Sequence, residues 1–283
     1  MIAAIGAWDK LHQNVSRLSS HKLPKTVNRF LNLIRERSPE NLKLRSGKYH
    51  EILGDRITVL PPDTRHVDYD VIPIIVADGC LYQCGFCQVK SGRKFTLRDK
   101  DNIKTQIKSL KAFYGQDIQN YNSIFLAQHD ALYAGIELIE FAAKHAYEIW
   151  ELNRSHLKGA NLFLFGSVDS LLSADPVLFD QLAALPFYTY INIGLESADP
   201  QTLALLKKAI SPEGVEKAFD KMFHINKTYG NIEITANFVY DSSFPESHLP
   251  SFFRLMEKKL DHFYPNGYLS IKHKLKYYLQ GIL

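Results

Sequence analysis

Residues 71–87 read VIPIIVADGCLYQCGFC, and they hold all three cysteines of the 283-residue chain, Cys80, Cys84 and Cys87. The first seven residues form a short apolar run, the signature of a strand buried on both faces. The cysteines begin just past its C-terminal end. In α/β folds that edge of the sheet is where ligands bind.

Outward from this stretch the pattern alternates. Downstream, Ile103, Ile107 and Leu110 recur at helical spacing, with Gly115 as a stop. NSIFLA (122–127) reads as a strand and 136–154 as a helix. A strand over 161–166 and a helix over 175–185 follow, then a strand over 188–195 and a helical DPQTLALLKKAI (199–210). The spacing next predicts a helix over 214–230, a strand over 231–240, a helix over SHLPSFFRLMEKKLDHF and a weaker sixth strand over 267–275. Strand and helix repeated about six times imply right-handed βαβ units and a parallel sheet. Periodicity alone leaves an open doubly wound sheet and a barrel both standing.

Residues 1–69 read as an N-terminal extension packing on the core. Val27, Phe30, Leu31 and Ile34 share one helical face between Pro24 and Pro39, and a short strand, Ile57–Leu60, stops at Pro61 and Pro62. Residues 70–283 read as the main domain. The net charge of +4 is too weak to argue for nucleic acid, which it does not exclude either. No run of 18 apolar residues predicts a membrane span, and the N-terminus lacks a signal peptide's basic region. Three clustered cysteines make no disulfide framework, so a reduced, cytoplasmic protein is expected. No appended domain is expected after the sixth strand.

Three thiolates spaced Cys-x3-Cys-x2-Cys can hold three corners of a cubane [4Fe–4S] cluster, leaving one iron without a protein ligand. An open position is what a catalytic metal keeps and a structural one lacks. Two other readings stand beside this. Zinc could take the three thiolates and one of eleven histidines, although no histidine lies within a few residues of Cys87. A non-catalytic iron–sulfur protein, a redox sensor or carrier, would use the cysteines and leave the open iron without purpose.

CLYQCGFC resembles the cysteine signature of the radical S-adenosylmethionine (SAM) enzymes, with Phe86 at its aromatic position. The resemblance spans roughly residues 70–275. It implies a partial (β/α)6 barrel, a [4Fe–4S] cluster and SAM bound at the open iron. The implied chemistry is reductive cleavage of SAM to a 5′-deoxyadenosyl radical that takes a hydrogen atom from a substrate. INIGLES is similar to a segment of the group containing the Elongator catalytic subunit, methylthiotransferases and coproporphyrinogen oxidase-like enzymes. The resemblance therefore implies that Glu196 contacts SAM, through its ribose hydroxyls or its amino group.

By the same resemblance, Gln128 and Asp130 of FLAQHDAL stand where the family receives the methionine amino group, without that segment's usual glycines. Ser167 of FGSVDSLL is the family-like polar contact, with Asp169 beside it, and Asn237 of ITANFVY is a further SAM candidate. His129 reads as a rim residue, Tyr240 as a pocket-edge ring, and Lys272 and His273 as surface positions. The loop cations Lys90, Arg93, Lys94 and Arg98 suit an anionic substrate or an acidic electron donor such as flavodoxin or ferredoxin. The substrate itself is not legible.

Overall fold

The structure is a computed structural model that describes residues 2–18, 23–57, 70–82, 84–87, 93–127 and 129–260, with backbone only for 2–5 and 258–260. It divides into two compact units, Met1–Arg56 and Ile57–Leu283.

The first unit holds three helices, α1 (Ile2–Arg17), α2 (Lys25–Arg35) and α3 (Pro39–Leu53). Val15, Leu31 and Ile34 form its buried cluster, with Trp8 packed against it. Trp8 Nε1 donates to Arg37 O at 2.9 Å, which satisfies the indole while its ring packs on the apolar cluster. The sequence reading expects one helix here. Of its expected face, Leu31 and Ile34 are buried, but Val27 and Phe30 are exposed. Pro39 does end α2, yet it also opens α3. Ser38 caps that helix by accepting from Asn41 N, and Gly54 closes it at φ +72°. The expected strand at 57–60 lies, apart from Ile57, outside the described residues, as does the sixth strand over 267–275.

In the second unit, β1 (Val71–Ile75) is followed by a two-residue antiparallel pair, β2 (Ala77–Asp78) with β3 (Thr96–Leu97). The expected single strand over 71–77 is thus split at Val76. The chain continues with α4 (Lys100–Tyr114), β4 (Ser123–Ala127), α5 (Ile136–Ile149), β5 (Asn161–Gly166), α6 (Val168–Ser173) and α7 (Pro176–Ala183). It then runs through β6 (Tyr188–Glu196), α8 (Pro200–Leu205), α9 (Pro212–Thr228), β7 (Ile232–Phe238) and α10 (His248–Leu260). Strands β1, β4, β5, β6 and β7 pair in chain order and all in parallel. The fold is mixed α/β with a five-stranded parallel sheet, as expected of a partial barrel. Among the described residues no helix is long and apolar enough to cross a membrane.

The register sorts side chains into two faces. One carries Ile72, Ile74, Ile124, Leu126, Leu162, Leu164, Ile191, Ile193 and Ile234, all buried. Helices α4, α5, α6 and α9 supply the buried residues of matching period, including Ile103, Ile107, Ala142, Leu171 and Val215. Each fully buried Leu or Ile of such a layer is worth roughly 1.5–3 kcal/mol. The other face carries Phe125, Phe163, Phe165 and Tyr190, and nearer the carboxyl edge Asn192, Thr235 and Asn237.

Two helices are shorter than periodicity predicts. The one expected over 136–154 ends at Ile149, because Glu151 takes φ +55° and a 3-10 turn, Leu152–Arg154, follows. The one expected over 199–210 ends at Leu205, because Lys207 takes φ +51°. The latter break shapes the site.

Candidate active site

Because the five strands are parallel, their carboxyl ends share one edge. The cysteine loop, the turn holding His129 and Asp130, Ser167, Glu196 and Asn237 all follow or end those strands.

The cysteine loop is fixed from several sides. Gly79 turns the chain at φ +73°, and a Cβ there would sit 2.6 Å from Arg93 O and 2.5 Å from Lys94 O, so only glycine fits. Arg98 forks onto Asp78, with Nε 2.8 Å from Oδ2 and Nη2 2.7 Å from Oδ1. Arg98 is thus a strut of the loop's base, a correction to its reading as a guide for anions. Its hydrogen bond holds the Asp78 carboxyl below the usual carboxylate range. Tyr82 OH donates to Asp169 Oδ2 at 2.6 Å, and Gly85 N donates to Leu206 O at 2.8 Å. Phe95 packs edge-on against Tyr133, centroids 5.3 Å apart.

None of the three cysteines is in a disulfide; Cys84 is buried and Cys80 and Cys87 are half-buried. Burial pushes the Cys80 and Cys84 thiols up, and the other cysteines' charge adds to the rise at both. Among the described residues no three His, Cys, Asp or Glu side chains are gathered as they would be around a single ion. The donor chemistry fits a cluster bound at its corners: three thiols on one loop at a ligand-binding edge. Phe86 is half-buried in the same loop.

Asp130 is buried at the end of β4. Its Oδ1 accepts from Tyr133 N at 3.2 Å, but its Oδ2 is buried with no hydrogen-bond partner. Burial raises this carboxyl above its ordinary range. Ser167 and Ser170 stand close enough to offset part of that rise, yet neither makes a hydrogen bond to Oδ2. An orphaned acceptor in such a place costs stability unless a ligand satisfies it. Its proximity to Cys80 is felt as a charge on that thiol. His129 is buried beside it, and close enough to Asp78 to act on that carboxylate.

Ser167 is the N-cap of α6, in a reciprocal capping box with Ser170. Asn237 Oδ1 accepts from Asn192 Nδ2 at 3.1 Å, and the same amide donates to Thr235 Oγ1 at 2.9 Å. Asn192 Oδ1 is itself buried and unpartnered. Tyr240 is exposed. Gln128, Lys90, Lys272 and His273 lie outside the described residues.

Glu196 is 8% exposed, ends β6 at a bulge and holds φ +65°, a backbone region that strains any residue but glycine. Its Oε1 accepts from Lys208 Nζ at 3.1 Å. Lys208 is 9% exposed, and its ammonium stands 5.3 Å from the Tyr82 ring centroid. The sequence reading missed Lys208. A helix continued through Ile210 would have made it an ordinary surface lysine. It also missed the Tyr82–Asp169 bond, which joins residues 87 apart. The only available signal for Lys208 was a second lysine in KK close after the IGLES segment.

A family model, the radical SAM superfamily, matches residues 74–237. No curated protein matches the sequence. Among solved structures the chain is similar to the cobalamin-dependent S-adenosylmethionine radical enzyme OxsB with aqua-cobalamin and S-adenosylmethionine bound. That match has 15% identity and a TM-score of 0.47, and it covers 66% of this chain and 26% of OxsB. It is also similar to methylornithine synthase, at 13% identity and TM-score 0.43, over 88% of this chain and 64% of that one. A third, anSMEcpe with AdoMet bound, gives 14% identity and TM-score 0.45, over 67% of this chain and 48% of its own. The chain thus spans about a quarter of the length of OxsB and under two thirds of methylornithine synthase. The family match takes in the cysteine loop and the carboxyl ends of β1, β4, β5 and β6, over more than half of the chain, and the chain belongs to the radical SAM superfamily.

Proposed function

We propose that this protein is a radical SAM enzyme in which Cys80, Cys84 and Cys87 hold a [4Fe–4S] cluster and SAM takes the remaining iron. The observation that carries it is the meeting of three clustered cysteines, none in a disulfide, with the unpartnered buried Oδ2 of Asp130 at one sheet edge. When reduced, such a cluster supplies the electron that splits SAM into methionine and a 5′-deoxyadenosyl radical.

The chain's own residues bind, orient and shield. Asp130 offers Oδ2 to the methionine ammonium, a charge-assisted bond that would answer its missing partner. Glu196 gives Oε1 to Lys208 and keeps Oε2 for a ribose hydroxyl or the amino group. Asn237, with one oxygen already used by Asn192, offers its amide nitrogen to SAM. Ser167 remains a candidate contact whose hydroxyl also caps α6. Gln128 is proposed as a contact beside Asp130, and Phe86 as apolar cover over the cluster. The rings of Phe125, Phe163, Phe165 and Tyr190 line the sheet face below the polar residues and exclude water from a reactive radical. The substrate is unidentified, and the electron comes from a low-potential donor of the flavodoxin or ferredoxin kind in the cytoplasm.

The test is anaerobic reconstitution with iron and sulfide, dithionite reduction, and electron paramagnetic resonance with and without SAM. A reduced-cluster signal that changes on adding SAM, with 5′-deoxyadenosine formed, is the expected result. A cluster indifferent to SAM would convert the reading to an iron–sulfur sensor or carrier. Zinc retained with no cluster would end it. Asp130→Asn should assemble the cluster normally and bind SAM at least tenfold more weakly, in line with a lost charge-assisted bond of about 1.5–3 kcal/mol.

A further inference from the structure

The cysteine loop leaves β2 and returns through β3, so its last residues lie against its first. A Cβ on Gly79 would sit 2.5 Å from Lys94 O, which sets Lys94 against the residue before Cys80. This return limb faces outward: Arg93, Lys94, Thr96 and Leu97 are all exposed. Beside it stands Tyr133, whose ring packs edge-on against Phe95. Tyr133 N donates to Asp130 Oδ1, which ties the same ring to the other half of the site. Leu97 is 46% exposed and Tyr133 49%. The charges on the limb are lopsided. Arg93, Lys94, Arg98 and Lys100 outnumber a single acid, Asp99, whose side chain caps α4. Arg98 is held by Asp78 and Lys100 by Glu137, while the side chains of Arg93 and Lys94 stand in solvent.

We propose that Arg93, Lys94, Leu97 and Tyr133 form the docking surface for an acidic electron-donor protein. This rests on the cluster reading above. The cluster's electron comes from outside the chain, and a protein donor delivers it by bringing its own redox group close to the cysteines. The limb that abuts Gly79 is a surface where that approach is short. Redox partners meet through small surfaces, under about 1,200 Å² in total, so a patch of a few residues suffices. Its composition is that of an interface, where arginine and aromatic residues are enriched. A small anion would use the two cations and leave Leu97 and Tyr133 without a role. Complementary charge speeds such encounters and makes their rate fall with salt. In the transfer the donor is oxidised by one electron and the cluster reduced by one, with no bond made or broken and no proton moved.

The experiment is stopped-flow reduction of the reconstituted protein by reduced flavodoxin and, separately, by reduced ferredoxin, both acidic, at low and high salt. The wild-type rate should fall several-fold as salt rises. Arg93→Glu/Lys94→Glu should be at least tenfold slower at low salt and should lose that fall. Leu97→Ser should be several-fold slower at every salt concentration. Lys104→Glu/Lys108→Glu, on the exposed side of α4, makes the same charge change away from the patch and should keep the wild-type rate. Iron content and the reduced-cluster signal after excess dithionite should match in all of them, which separates lost docking from a damaged site. Equal rates in the patch variants and the wild type, or equal slowing by the α4 pair, overturn this inference and leave the proposed function standing. So does a wild-type cluster that dithionite reduces and neither acidic donor does. A wild-type protein that takes up no cluster overturns both.

Discussion

At the scale of single residues, Glu196 carries the most unusual combination: a non-glycine at φ +65°, on a bulge, buried and ion-paired. Such backbone costs of order 1–3 kcal/mol and persists only where its surroundings hold it. Lys208 supplies part of that hold. Glu196→Ala should destabilise the fold by about 3–5 kcal/mol, since it leaves a buried ammonium unpaired. Glu196→Gln keeps an oxygen for the ammonium and should cost clearly less. Urea denaturation of the two variants checks this, and equal costs would mean that the pair contributes nothing as a pair. Gly194→Ala drives a methyl into the same pair and should cost about 1–3 kcal/mol by overpacking.

At the scale of elements, the loops at the sheet's carboxyl edge are tied to helices by single side chains. Tyr82 ties the cysteine loop to the first turn of α6. Burial and the Asp169 bond raise its phenol pKa, so it stays a donor throughout the working range. On the far side, His248 at the start of α10 ties the end of β6 to the segment after β7. Its Nδ1 lies 3.0 Å from Ser197 Oγ and its Nε2 3.0 Å from Val239 O. A carbonyl only accepts, so Nε2 carries the proton and Nδ1 accepts from the serine.

Burial pushes the His248 pKa below its ordinary value of 6.5. The neutral ring is the folded form. Its contribution is therefore complete above the unfolded pKa and declines as pH falls below about 6.5 toward the folded value. The denaturation midpoint of the wild type should drop between about pH 7 and pH 5, and that of His248→Gln should drop less over the same interval. Parallel slopes would assign the acid sensitivity elsewhere.

At the scale of the whole second unit, the parallel sheet separates stability from chemistry by face. The aliphatic face is sealed by helices, while on the aromatic and amide face Phe165, Tyr190 and Asn237 are only half-buried among the described residues. Leu164, fully buried on the sealed face, should cost about 2–5 kcal/mol when cut to alanine. Phe165, half-buried on the other face, should cost less when cut in the same way and should instead weaken SAM or substrate binding. Thermal melts and ligand titrations on the two variants check the division. A stability loss at Phe165 as large as at Leu164 would overturn it.

Much of this architecture was written in local patterns. Alternating apolar runs and helical stripes gave five strands in the right order, because a strand buried between helices must be apolar along its length. The cysteine spacing marked the loop, and the parallel topology then brought Asp130, Ser167, Glu196 and Asn237 to the same edge. What local pattern could not carry were features whose cause lies elsewhere in the chain. The turn at Lys207 breaks a good helical sequence, since its strain is offset by contacts with the cysteine loop and Glu196. The same loop made Arg98 a strut and Tyr82 a tether, through partners 20 and 87 residues away. The sequence by itself determined the succession of strands and helices and the cysteine motif, because hydrophobic period and residue spacing are local quantities. Only the tertiary structure decided that a lysine is buried beneath that motif, because burial depends on which distant segments close over a residue.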